Sequence, residues 1–239
     1  MNKAKRAIIM AAGFGSRMMP LTAETPKPLI RVHGVRMADR LIEGLMQNGI
    51  REIYIVVGHL KEKFEVIREK YPNVKLIENP YYGEMNNISS LYVAREHLKD
   101  CIIMEGDLVL HNPKIFHPEF ARSGYCAIPE KGLTTEWLLN LNSEGVITDC
   151  SRTGGVGGWR LIGISFWTAE DGQRLCRCLE QAFAAGKTEL FWDDLALFEH
   201  RDDFKLGIRE IREGDIVELD SLAELAAMDT SYTTYLSRA

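Results

Sequence analysis

Two glycines, a serine and two cations stand in an order that suits a phosphate chain. Gly13, Gly15, Ser16 and Arg17 follow the apolar run 7–12, which ends in Ala11 and Ala12, and Lys27 comes ten residues after Arg17. Glycine reaches positive φ and lets backbone N–H groups approach a ligand closely. The N-terminus of a following helix would add its dipole. Arg17 offers a planar fork to the β- and γ-phosphates of a nucleoside triphosphate, and Lys27 offers a compact charge. The spacing is neither the Gly-x-Gly-x-x-Gly dinucleotide pattern nor the Gly-Lys-Ser/Thr phosphate loop.

A second set of residues suits a metal ion. Asp107 follows a short apolar run through Glu105 and Gly106. At the carboxyl end of a buried strand its carboxylate is a hard-oxygen ligand for Mg²⁺. A magnesium ion on a triphosphate takes one or two protein carboxylates, and Asp193, Asp194, Glu218 and Asp220 are the further candidates. Asp220 could instead cap the last helix. Between these sets, Asn86, Asn87, Ser89 and Ser90 carry amides and hydroxyls able to read a base edge, although Asn87 or Ser89 could cap the helix that begins there. The six histidines form no metal-binding spacing, and no serine or cysteine sits in a recognisable triad. His59, at a strand end, is the histidine placed nearest the candidate site.

Composition narrows the classes. The chain has 239 residues, 46% apolar and 26% charged, which favours one compact domain with a lobe inserted. Net charge is −5 and the pI is near 5.8, so general nucleic-acid binding is not expected. The apolar runs are far short of a membrane span, and the N-terminus lacks a signal-peptide core. Five irregularly spaced cysteines fit a reduced, cytoplasmic protein without zinc. Oligomeric state is not legible.

The elements that must position these residues alternate. Strands are predicted over 7–10, 53–57, 74–77 and 101–104, with helices over 37–48, 61–70 and 89–98 between them. This alternation predicts an α/β fold: a mostly parallel sheet with helices on both faces and ligands beyond the strands' carboxyl ends. Pro20, Pro26 and Pro28 argue against a long helix in the glycine loop and its extension. Residues 129–166 are glycine-rich with short apolar segments and predict an inserted β-rich lobe. Beyond it, a helix is expected over 169–185, a helix or helical turn over 189–200, a strand over 204–211, an extended piece over 216–220 and a terminal helix over 221–228.

The run Ala11-Ala12-Gly13-x-Gly15-Ser16-Arg17-x-x-Pro20-Leu21-Thr22, with Thr25-Pro26-Lys27-Pro28-Leu29, resembles the signature of the nucleotidyltransferases that make nucleoside diphosphate sugars. Within that superfamily the chain is most similar to the bacterial phosphocholine cytidylyltransferases, and the likeness extends through Asn86-Asn87-x-x-Ser90, Glu136-Trp137, Trp192-Asp193 and Glu218-x-Asp220. The resemblance implies a Rossmann-like, GT-A-like three-layer fold with an acceptor-binding lobe. It implies Mg²⁺ on Asp107 and Asp193, with Glu218 and Asp220 as alternatives. It places Lys27 at the transferred α-phosphate and the incoming phosphate. It assigns base reading in part to the backbone of Ala12 and Gly13, and it alone favours cytosine over uracil.

The implied reaction is CTP with phosphocholine giving CDP-choline and pyrophosphate. A quaternary ammonium is held by aromatic faces aided by carboxylates. Glu136, Trp137, Trp159, Phe191 and Trp192 are the expected acceptor pocket, with Trp137 and Trp192 as its two walls, although core or lobe packing is the other role open to these tryptophans. Phosphoethanolamine, 2-aminoethylphosphonate or a sugar 1-phosphate are the alternative acceptors. A non-catalytic nucleotide-binding protein is the alternative of another class, and it would need fewer metal carboxylates.

Overall fold

The computed structural model describes residues 1–236. In chain order the main elements are β1 (Arg6–Ala11), α1 (Met37–Gln47), β2 (Glu52–Val57), α2 (Glu65–Lys70), β3 (Val74–Glu78), α3 (Ile88–Val93), β4 (Cys101–Glu105) and β5 (Leu108–Leu110). There follow β6 (Gly124–Thr134), β7 (Leu138–Leu141), β8 (Ile147–Ser151), β9 (Gly155–Trp167), α4 (Ala169–Ala184), β10 (Gly207–Glu210), β11 (Ile216–Glu218) and α5 (Leu222–Met228).

Strands β3, β2, β1 and β4 lie side by side and parallel. β1 is buried on both faces because apolar residues fill both parities. Ala7, Ile9 and Ala11 pack with Leu41, Ile42 and Leu45 of α1, while Ile8 and Met10 pack with Leu91 of α3 and Leu175 and Leu179 of α4. A central sheet between two helical layers is the result.

The lobe is an extension of this sheet. β9 runs antiparallel to β4 through residues 164–167 and antiparallel to β7 through 159 and 160. Its other flank pairs with β6 from Gly124 to Thr134. The expected lobe boundary near 129 and 166 is therefore not a break in the chain's architecture, since β6 and β9 cross it as continuous strands. The inner part of β6, residues 124–128, is buried. Its outer part escapes a periodicity reading because residues 129–134 are partly or wholly exposed and show no alternation.

Elsewhere the predicted elements appear with shifted ends. The helix over 61–70 is a 3₁₀ turn leading into α2. The helix over 89–98 stops at Val93 and resumes as a short turn. Residues 195–199 form a π-type helical turn. No helix among the described residues is long and apolar enough to cross a membrane.

Candidate active site

The loop after β1 is built from turns. Gly15 adopts φ 62°, and a Cβ there would meet Thr22 Cγ2 at 2.9 Å. The Thr22 hydroxyl, fully buried, donates to Gly15 O at 2.8 Å. His59 donates its backbone N–H to Ala12 O and sets its ring against Thr22 O, so it braces the loop from behind. Ser16–Met18, Leu21–Ala23 and Lys27–Leu29 are single 3₁₀ turns. No long helix starts at this loop, so Arg17 and Lys27 supply the positive charge on the cleft wall.

At the end of β4 the backbone of Gly106 closes onto β1, where any Cβ would meet Met10 O at 2.8 Å. That turn delivers Asp107 opposite Lys27. β11 pairs with β5 and brings Glu218 and Asp220 beside Asp107. Ser221 caps α5, completing a capping box with Glu224. Asp220 is thereby spared the capping role, and its carboxylate faces the site.

Lys27 is only 9% exposed. Its Nζ donates to Asp107 Oδ2 at 2.6 Å and to Asp220 Oδ1 at 3.1 Å. Arg17 donates to the same Asp220 oxygen at 2.7 Å. Burial by itself would lower the Lys27 pKa, but the two carboxylates more than offset it and hold it above the usual value. Asp107, Glu218 and Asp220 can place one carboxylate oxygen each within 4.8 Å of one another. Asp107 Oδ1 is buried without a hydrogen-bond partner. An orphaned hard oxygen inside a triad of acids fits a divalent cation.

Two clefts meet at this centre. A cleft of about 260 Å³ is lined by Ala11, Ala12, Gly13, Gly15, Ser16, Arg17, Lys27, Asn87, Ser90, Asp107 and Asp220 among others. A second, of about 330 Å³, runs toward the lobe past Glu136, Trp137, Leu161, Gly163, Phe191, Asp193 and Glu218. Arg17, Asn87, Glu105, Asp107 and Asp220 belong to both walls. The Trp137 and Phe191 rings meet edge-on at 5.8 Å, forming an aromatic corner.

The MobA-like NTP transferase domain model matches residues 7–139, over half of the chain. A 2-aminoethylphosphonate cytidylyltransferase of Lancefieldella rimae is 43% identical over 235 residues, covering 97% of this chain and 94% of that protein. A choline-phosphate cytidylyltransferase of Streptococcus pneumoniae is 32% identical over 228 residues, covering 94% and 96% respectively. The chain belongs to the MobA-like NTP transferase family. The solved structure of the Streptococcus pneumoniae CTP:phosphocholine cytidylyltransferase aligns with a TM-score of 0.88 at 31% identity, over 96% of this chain and 99% of that one. The fold is that of the nucleotidyltransferases, and the protein is an enzyme of that class.

Within this nucleotidyltransferase some expected residues fall away from the clefts. Asn86 and Ser89 line neither. Asn86 bonds the carbonyls of the 188–189 segment, and Ser89 sits buried between Asn79 and Asn86. Trp192 is corrected from cage wall to core residue: it is 2% exposed and packs against Tyr125 and Trp167. Its neighbour Asp193 faces the cleft, and adjacent residues in this turn point apart. Trp159 shares a face of β9 with Leu161 and Gly163 but lies beyond the cleft, packing as part of the lobe. Asp194 accepts from Phe191 N and from Arg152, which separates its role from that of Asp193.

Glu105 is the site residue that sequence reasoning passed over. It ends β4 two residues before Asp107, so a charged residue closing an apolar strand was the available signal. Burial, then the nearby Asp107, Asp193 and Glu218, raise its pKa well above the carboxylate range. Asn87 Nδ2 approaches it at 3.4 Å. Gly163 leaves room for it, since a Cβ there would lie 2.8 Å from Glu105 Cγ. Asp193 is raised to about 8, chiefly by burial. Glu218 is raised to about 8, chiefly by desolvation, with the charges of Asp107 and then Asp220 adding to it.

Proposed function

We propose that this enzyme transfers the cytidylyl group of CTP to a phosphorus oxyanion on a small acceptor bearing an ammonium group. The observation that carries the reading is the junction of the two clefts: an acid-flanked aromatic corner opens directly onto the Lys27–Asp107 centre. An acceptor oxygen attacks the α-phosphorus, the bond from that phosphorus to the bridging oxygen breaks, and pyrophosphate leaves. The acceptor oxygen is already anionic near pH 7, so no general base is needed. Lys27 offsets charge where the two anions meet, and Arg17 holds the leaving phosphates. Asp107, Glu218 and Asp220 would hold Mg²⁺, with Asp193 as a further candidate on the acceptor side. When bound, that ion supplies neutralisation of triphosphate charge.

The acceptor reading favours 2-aminoethylphosphonate. Glu136, Asp193 and Glu218 crowd the corner with carboxylates, which suit a primary ammonium able to donate hydrogen bonds. The Lancefieldella rimae relative named for that acceptor covers nearly the whole chain. Phosphocholine is the second reading, favoured by the Trp137–Phe191 corner, although the corner has one expected wall fewer without Trp192.

A pyrophosphate-release panel tests the proposal, crossing CTP and UTP with 2-aminoethylphosphonate, phosphoethanolamine, phosphocholine and glucose 1-phosphate. The highest kcat/KM is expected for CTP with 2-aminoethylphosphonate. Turnover of glucose 1-phosphate alone would overturn the ammonium reading.

A further inference from the structure

The aromatic corner is held from outside the cleft by one arginine. Arg152 lies in the turn between β8 and β9. Its guanidinium donates to Asp194 Oδ1 at 2.5 Å, and Asp194 Oδ2 accepts the backbone N–H of Phe191 at 2.9 Å. The same guanidinium lies 4.3 Å from the Phe198 ring centroid and 5.5 Å from that of Trp137. Trp137 in turn meets Phe191 and Phe198 edge-on at 5.8 and 5.9 Å. Trp137 and Phe191 face the cleft, whereas Arg152, Asp194 and Phe198 stand behind them. The contacts close a loop from Arg152 through Asp194, Phe191 and Trp137 back to Arg152.

The contacts have two consequences. The closed loop holds Trp137 and Phe191 at their 5.8 Å edge-on contact, so the corner cannot readily re-form around a bulkier head. Arg152 also draws on the π-system of Trp137, so a second cation on that indole gains less from it. A primary ammonium bonds to carboxylates and depends little on either effect. A trimethylammonium group depends on both.

We propose that Arg152 is a positioning residue that sets acceptor selectivity, holding the corner against trimethylammonium heads in favour of primary ammonium. The inference rests on the ammonium-acceptor reading above. Arg152→Met keeps the aliphatic bulk and removes the fork and the charge. The ratio of kcat/KM for phosphocholine over 2-aminoethylphosphonate should rise about two- to five-fold, the span of an exposed cation–π contact, with KM for CTP unchanged. Arg152→Lys retains the ion pair with Asp194 and should fall between. Equal losses for both acceptors would show a purely structural role and overturn the proposal.

A second measurement needs no turnover. Binding of tetramethylammonium and of methylammonium, followed by tryptophan fluorescence, should shift toward tetramethylammonium in Arg152→Met. An unchanged ion preference overturns the role of Arg152. A shifted ion preference with no turnover of either acceptor supports it and removes the acceptor assignment instead.

Discussion

Replacing Lys27 by methionine separates the two jobs that this side chain is placed to do. Methionine matches most of its length and carries no charge. In the folded protein Lys27 is paired with Asp107 at 2.6 Å and Asp220 at 3.1 Å. Stranding a fully buried partner costs about 3–5 kcal/mol. The acid side chains here are 20% and 31% exposed, so water recovers part of that loss and about 2–3 kcal/mol is expected. For a chain of this size that is a fall of roughly 5–10 °C in Tm. Adding Mg²⁺ should restore part of it, because the same carboxylates gain a cation. The catalytic loss is separate. Removing a donor aimed at developing charge costs about 10²–10³ in kcat. Single-turnover kinetics with saturating CTP would read the chemical step, and calorimetry would read CTP affinity. The expected result is a kcat loss at least ten-fold larger than the loss in CTP affinity, as an order-of-magnitude criterion. Equal losses would reduce Lys27 to a substrate clamp, and an unchanged Tm in chelator would refute the ion-pair argument.

Asp107→Asn should lower turnover about 100-fold or more, and Asp220→Asn should raise the Mg²⁺ concentration needed for half-maximal rate; a metal titration of each variant checks both. Asp193 and Glu218 have folded pKa values raised to about 8 from ordinary values of 3.8 and 4.5. The folded state therefore holds protons that the unfolded chain has released, and metal-free stability should fall as pH rises from the ordinary carboxylate range toward 8. Thermal melts in chelator would show a flat or rising Tm across that window if the reasoning is wrong. Trp192→Ala should cost about 3–5 kcal/mol of stability as a core truncation, measured by denaturant unfolding. Trp137→Ala should instead raise the acceptor KM about two- to five-fold with KM for CTP unchanged, and similar stability losses for the two variants would contradict their assignment to corner and core.

Sequence alone was most informative where one residue type has one use. Apolar runs of both parities marked β1, β2 and β4, and the glycine–serine–arginine order placed Arg17 and Lys27 on one cleft with Asp107. It was least informative where neighbours share chemistry. Trp192 and Asp193 are adjacent, yet the turn sends the indole inward and the carboxylate to the cleft. Asp220 and Ser221 both suit a helix cap, and only the capping-box geometry of Ser221 and Glu224 shows which one caps. The acid triad joins positions more than a hundred residues apart through the β5–β11 pairing, which no local pattern reveals. Glu105 stayed hidden because its importance comes from the space at Gly163, on a different strand.

On the acceptor reading proposed above, the continuity of β9 determines how acceptor preference can be exchanged. One half of the strand is hydrogen-bonded to β4, the other to β7, and β6 runs along the opposite flank through both halves. A chimera that transplants the lobe from a relative has no linker to cut; each joint falls within a paired strand. Strand side chains alternate faces, so a joint displaced by one residue would turn Leu161 and Gly163 out of the cleft and close the space that Glu105 occupies. Changing the acceptor by recombination therefore demands conservation of register across the joint, while substitutions within the corner carry no such constraint. The irregular pairing of β6 between Glu130 and Leu133 lies outside the shared inner segment, which makes it the natural place for such a joint.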